Sequence, residues 1–196
     1  MINNQTVRRV AAQWLVCPMG LPLIRRRCVS CVSARFRTHG KFRINANHKL
    51  LDVWLLALCA GCGQTAKLTV LERVHVRTIE PSTLSRFHDN DVALAAKLLQ
   101  DPGVLRRNGV TLDWEGAWTI RKTTVDVSAA EVIDTSVRFA QRIPIRLTRL
   151  LAAGLDVSGA EVQRLIADGS LSSAHRLTGR SSGDFSFTLR RKAVDD

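Results

Sequence analysis

The chain has 196 residues, 45% of them apolar, and its 29 Lys and Arg against 17 Asp and Glu give a formal net charge of +12. That length admits one or two compact domains with a real core and excludes a large multidomain enzyme, and the apolar share excludes wholesale disorder. No apolar run nears the roughly 20 residues of a membrane span, and the charge calls for an anionic partner, nucleic acid foremost.

The first 18 residues, MINNQTVRRVAAQWLVCP, hold no uninterrupted apolar core followed by a small-residue cleavage site. The expected compartment is therefore the cytoplasm, where cysteine pairs serve metals more often than disulfides. Cys17, between Leu15-Val16 and Pro18, is expected as a small buried residue outside any ligand set. Residues 1–79 carry 13 basic and two acidic side chains for a charge of +11, residues 80–142 sum to −1, and residues 143–196 sum to +2. Such asymmetry suggests an anion-binding part joined to a neutral one. Boundaries are expected near residues 78–81 and 134–142, dividing the chain into 1–79, 80–136 and 137–196.

The first segment reads as β-rich, with Phe36, Phe42, Trp54 and Leu56 in strand-like runs. Residues 34–44, ARFRTHGKFRI, are expected to form a hairpin turning at Gly40, with the Phe side chains on one face and the basic ones on the other. Two CxxC pairs, Cys28-Val-Ser-Cys31 and Cys59-Ala-Gly-Cys62, stand 27 residues apart. Together they offer four thiolates in the tetrahedral shell of a structural zinc site. The gap exceeds the common spacing of about 15–20 residues, which an extended connecting hairpin accommodates. A redox pair would sit at a strand-to-helix junction of a βαβ pattern, and neither pair does. A closed four-sulfur shell leaves no position for substrate, so the expected metal is one structural zinc per chain.

Further along, residues 89–100 place Val92, Ala95, Ala96 and Leu99 at helical spacing, with Asp89 or Asn90 as cap and Asp101-Pro102-Gly103 as stop. Residues 110–120 alternate around Glu115-Gly116, a pattern expected as a hairpin carrying Trp114 and Trp118. Leu147, Leu150 and Leu151 line one helix face. Ser158 and Glu161 make a capping box for a second helix, Val162, Leu165 and Ile166 give its buried stripe, and Gly169 its left-handed stop.

Residues 41–76 read KFRINANHKLLDVWLLALCAGCGQTAKLTVLERVHV. With the upstream CVSC, this resembles the uncharacterised bacterial family catalogued as domain of unknown function 1062, on its KFRINAN segment, LDVWL strand, second CxxC with Thr65, and LERV strand. The likeness spans roughly the first 80 residues, and the less distinctive remainder is expected to belong to the same family. It implies no activity, and it singles out Lys41, Arg43, Asn45 and Asn47 as polar residues of interest. Residues 147–171, LTRLLAAGLDVSGAEVQRLIADGSL, resemble the two-helix core of the alpha-L RNA-binding domain first known from a small-subunit ribosomal protein. That resemblance implies a following hairpin, with strands from residues 170–173 and 185–191. Gly159 stands where that family usually has a basic residue, and its short Asn-Gly turn is absent.

The expected architecture is α+β: a β-rich zinc ribbon, a mixed helix and strand segment, and a small two-helix-plus-hairpin alpha-L-like domain. The expected function is binding of RNA, ribosomal or transfer RNA, in a ribosome-associated setting. Arg25, Arg26, Arg27, Arg35, Arg37, Lys41, Arg43, Arg146, Arg149 and Arg164 would contact phosphate, with Phe36 or Phe42 available to stack a base. The alternative is a metal-stapled module for an acidic protein partner. No phosphate loop, nucleotide fingerprint, nucleophile elbow or two-His metal motif points to an enzyme or a small-molecule substrate.

Overall fold

A computed structural model describes residues 7–124, 126 and 130–191, and among these the fold is α+β, with helices and strands in three sheets. The first described strand, β1 (Arg9–Pro18), pairs with strands 100 or more residues downstream. The chain consequently forms two compact units that do not follow the three consecutive segments expected. Gly20–Glu115 is one unit, and the described residues before and after it make the other. The expected boundary at residues 78–81 falls inside the first of these.

The inserted unit holds β2 (Leu23–Arg25), β3 (Arg35–Arg37), β4 (Phe42–Asn47), β5 (Leu50–Cys59), β6 (Thr65–His75), α1 (Pro81–His88), α2 (Val92–Leu99), α3 (Pro102–Asn108) and β7 (Thr111–Asp113). Its spine is β5, LLDVWLLALC. Side chains alternate along a strand, so Leu51, Val53, Leu55, Ala57 and Cys59 share one face, and all five are buried. One edge of β5 takes β6. The other edge takes β4 and β3 end to end, and β2 and β7 extend the sheet beyond β3.

The hairpin expected over residues 34–44 is therefore not formed. Both of its arms run antiparallel to β5, so the chain continues along one edge instead of reversing. The alternation of Phe and basic residues assigned faces correctly and could not name the partner strand. Gly40 supplies a kink between the two pieces, with φ +79, where an added Cβ would lie 3.3 Å from the Val92 backbone. The reversal comes later, at His48-Lys49 between β4 and β5.

The three helices cover the apolar face. Phe87, Leu94, Ala95 and Leu99 join Phe36, Val53, Leu55, Leu68 and Val70 in one core. Phe42 meets Phe87 edge to face at 5.0 Å. Both phenylalanines offered for base stacking thus serve the core. The cap of α2 is Asp91, whose Oδ1 accepts the Leu94 N–H at 2.8 Å. Asp89 closes α1, and Asn90 is left-handed at φ 55, with its side chain accepting the Phe42 N–H. Asp101-Pro102 ends α2 and also begins α3, with Asp101 as cap and Pro102 in the first turn, where its missing N–H costs nothing.

A hydrogen bond from Arg86 and the Leu94 N–H hold the Asp91 carboxyl down at about 2. A group depressed on folding stabilises fully above its unfolded value, about 3.9, and loses that contribution as pH falls through the folded value. Wild-type protein should therefore lose stability between roughly pH 4 and 2 by more than Asp91→Asn does. Urea midpoints at pH 5 and pH 2.5 read the difference, and equal losses would refute it.

In the outer unit β1 lies between β8 (Trp118–Lys122) and β9 (Val132–Phe139), antiparallel to the first and parallel to the second. Next come β10 (Ile145–Arg146), α4 (Leu147–Leu155), α5 (Gly159–Ala167), β11 (Leu171–Ser172), β12 (Arg180–Ser181) and β13 (Phe185–Arg190). The main sheet runs β11-β13-β9-β1-β8. The hairpin expected over residues 110–120 is absent, because β7 pairs with β2 and β8 with β1, on either side of the division between the units.

The helix pair forms where expected, with Leu147, Leu150, Leu151 and Val162 buried. Ser158 caps α5 by accepting the Glu161 N–H at 3.0 Å, while the Glu161 carboxylate turns to Arg164. The strands at residues 170–173 and 185–191 pair as β11 and β13, yet β13 goes on to pair with β9. They form the rim of a larger sheet and not the end of a separate small domain. Gly154 of α4 sits against the Trp14 ring of β1, where an added Cβ would stand 2.0 Å from a ring carbon. Among the described residues, no helix is long and apolar enough to cross a membrane.

Candidate metal centre

The β2–β3 and β5–β6 connections each carry one CxxC pair at their tip. The two tips meet because β3 pairs with β5, in a register that sets Phe36 opposite Cys59. The turns are built alike. Cys28 donates its N–H to the Ser33 carbonyl and Cys59 to that of Gln64, both at 2.9 Å. Two residues on, the Ser30 and Gly61 N–H groups point at the Cys28 and Cys59 sulfurs, each at 3.4 Å. Gly61 has no room for a side chain, since a Cβ would lie 3.0 Å from Ser33 and 3.3 Å from the Cys31 sulfur.

Cys28, Cys31, Cys59 and Cys62 place their sulfurs within 4.8 Å of one another. Cys28 and Cys62 are 3.7 Å apart, and Cys31 and Cys59 are 3.6 Å apart. A tetrahedral ion with metal–sulfur bonds of about 2.3 Å has an edge of about 3.8 Å. The four residues thus fit one ion with little movement. Their protons reflect the crowding. The Cys62 N–H works against burial, with the Gly61 N–H assisting, to hold the Cys59 thiol down at about 6. The Ser33 N–H favours a Cys31 thiolate, but the sulfur of Cys62, burial, and the Cys59 and Cys28 sulfurs push that thiol up to about 12. Four thiolates coexist only around a cation, so metal entry releases protons. Cys17 is half-buried in β1, in the other unit, with its sulfur 3.8 Å from the Leu15 carbonyl. Val29 and Val32 project from the first turn, wholly exposed.

The face of the inserted sheet away from the helices carries basic side chains beside the apolar Trp54, Leu56 and Leu58. Opposed residues of antiparallel strands share a face. Arg43 stands opposite Trp54, Arg37 opposite Leu58, Arg35 opposite Arg25, and Lys67 opposite Leu56. Arg35, Arg37, Arg43 and Lys67 are exposed. Arg25 is committed to the buried Asp113 through Nε at 3.2 Å and a terminal nitrogen at 2.9 Å. Although burial opposes its charge, the Glu115 N–H and Arg25 hold the Asp113 carboxyl below the usual range. Arg26 and Arg27 are exposed between β2 and the first cysteine turn, and Lys41 is exposed at the kink.

Arg146, Arg149 and Arg164 belong to the outer unit and are exposed. Arg164 pairs with Glu161 and lies 3.8 Å from Asp168. Sequence reasoning named neither Trp54 nor Lys67 as a site residue. The signal was parity: Cys59 must face the cluster, so even-numbered residues of β5 face outward.

The model of the family described as Protein of unknown function (DUF1062) matches residues 44–177, about two thirds of the chain. The match takes in Cys59 and Cys62, begins after Cys28 and Cys31, and extends through the helix pair. No curated protein and no solved structure matches the chain.

Proposed function

We propose a function for a chain that belongs to the family Protein of unknown function (DUF1062): it holds one structural zinc ion and binds RNA. Four cysteine sulfurs, with tetrahedral edges close to those of zinc–thiolate sites, select zinc over harder cations. All four positions are filled by protein, so the ion's work is to join the two hairpin tips, and it offers no place for a substrate.

The observation that carries RNA binding is the open sheet face, where exposed Arg35, Arg37, Arg43 and Lys67 share one side with Trp54, Arg43 opposite it and Lys67 over its ring. The inserted unit has 15 Lys and Arg against eight Asp and Glu. A zinc ion with four thiolates subtracts two charges and leaves it basic. Phosphate contacts give affinity and salt dependence without sequence choice.

Anisotropy of a labelled mixed-sequence RNA tests the reading. Four phosphate contacts give a slope of log affinity against log salt of about −3, at roughly 0.7–0.9 per contact. Arg37→Ser with Arg43→Ser should weaken binding and flatten the slope by about 1.5. Absence of binding at low salt, or an unchanged slope, would refute it. The bare Val29 and Val32 favour a second reading, a docking module for an acidic protein, which a nuclease-resistant pull-down would support.

A further inference from the structure

We infer that the open face of the inserted sheet takes an unpaired stretch of RNA, with a base stacked on the Trp54 indole; this rests on the RNA-binding reading above and names its substrate class. The outward residues of β5 from Trp54 onward form an apolar lane. Trp54 and Leu56 are half-buried, and Leu58 is 41% exposed. Residues two apart on a strand are about 6.6–6.8 Å apart, so the lane presents successive apolar steps along its length.

Cations flank the lane on both sides. On the β3–β4 side stand Arg37, opposite Leu58, and Arg43, opposite Trp54. On the β6 side stands Lys67, opposite Leu56. At the far end comes Asp52, whose carboxylate accepts the Arg73 N–H at 2.8 Å and places an acid where phosphate is unwelcome. An apolar lane between cationic margins matches a strand that lays its bases on the protein and keeps its phosphates at the side.

A duplex matches this surface poorly. Its bases are stacked on one another, and the deep, narrow major groove of A-form RNA excludes side chains, so flat π faces are presented only by unpaired nucleotides. Trp54 is poised for such a face. The Lys67 ammonium lies 4.9 Å from the ring centroid, a cation–π contact that occupies the indole in the protein alone. A base stacking there displaces Lys67 from the ring, and the freed ammonium is adjacent to that nucleotide's phosphate. Stacking on an aromatic side chain is sequence-tolerant, because every base has a π face.

The experiment compares a mixed-sequence single-stranded RNA of 12 nucleotides (about one site for such a face) with its blunt duplex, using zinc-loaded full-length protein. The single strand should bind at least about tenfold more tightly. Trp54→Leu should weaken single-strand binding about tenfold and leave the salt slope unchanged, because stacking releases no counterion, and Trp54→Phe should restore most of the loss. Unchanged far-ultraviolet circular dichroism and zinc content certify the fold of each variant. Equal binding of duplex and single strand, or a Trp54→Leu protein that binds as wild type does, would overturn this inference and leave general RNA binding standing. Failure of both RNA forms to bind would overturn both.

Discussion

Replacing Cys59 with Ser is expected to release the metal ion and unfold the cysteine-bearing end of the inserted unit. Cys59 is both a member of the four-sulfur cluster and a buried residue of β5, opposite Phe36. Its turn is held by the bonds from Cys59 to Gln64 and from Gly63 back to Cys59. Zinc binding supplies about 10–16 kcal/mol in four-ligand peptides. That rivals the roughly 5–15 kcal/mol that stabilises a whole domain. Without an ion the cysteine-bearing end would lose this contribution.

Native mass spectrometry should find one zinc per wild-type chain and none in Cys59→Ser, and the variant's thermal unfolding should begin well below that of wild type. Cys62→Ser, at the exposed ligand, should keep a weakened site. Acid should act in the same direction, because protons compete with the metal for sulfur. Wild-type protein with far less than one metal ion, together with an unshifted Cys59→Ser, would defeat the assignment.

The second large effect is expected in the outer unit, from Gly154→Ala. Alanine ordinarily gains about 1 kcal/mol over glycine inside a helix. Here its methyl would stand 2.0 Å from one Trp14 ring carbon and 2.2 Å from the next. Carbon atoms pack at about 3.5–4.0 Å, so the ring or α4 must move by well over an ångström. Trp14 has little freedom to yield. Phe187 stands edge to face against it at 5.1 Å, and the Lys122 ammonium lies 5.7 Å from its centroid. Overpacking of this kind costs about 1–3 kcal/mol and sometimes more, so the net change should be destabilising despite the gain in propensity. A urea midpoint lowered in Gly154→Ala and largely restored in Gly154→Ala with Trp14→Leu would establish the contact. A stabilised single variant would contradict it.

Local chemistry was legible in the sequence, and partnership between strands was not. The two CxxC pairs announce themselves because each turn is built within six residues, and the structure needs only to bring the tips together. The Ser158 cap and the leucines of α4 are equally local. Alternation, in contrast, tells which face a side chain takes and never which strand lies alongside. Residues 34–44 and 110–120 therefore alternate as hairpin arms would, although each has partners elsewhere. The cap of α2 is Asp91, one or two residues past the expected Asp89 or Asn90, and Asn90 instead answers to the Phe42 backbone, 48 positions away. Trp54 was visible as a strand residue, but its place on the open face followed only once Val53, Leu55 and Cys59 were known to point inward.

The discontinuous outer unit has a consequence for how the protein is made. Strand β1 leaves the ribosome before its partners, and the parallel partner of Val16 is Phe139. At roughly 5–20 residues per second, β1 waits on the order of 6–25 s for that partner. During that interval Gly20–Glu115 is complete and able to fold. The β1 strand meanwhile presents unpaired backbone on both edges, a template for mispairing with other nascent chains. The inserted unit therefore gains from folding quickly, and the growing chain is most exposed to aggregation between the synthesis of β1 and that of β9.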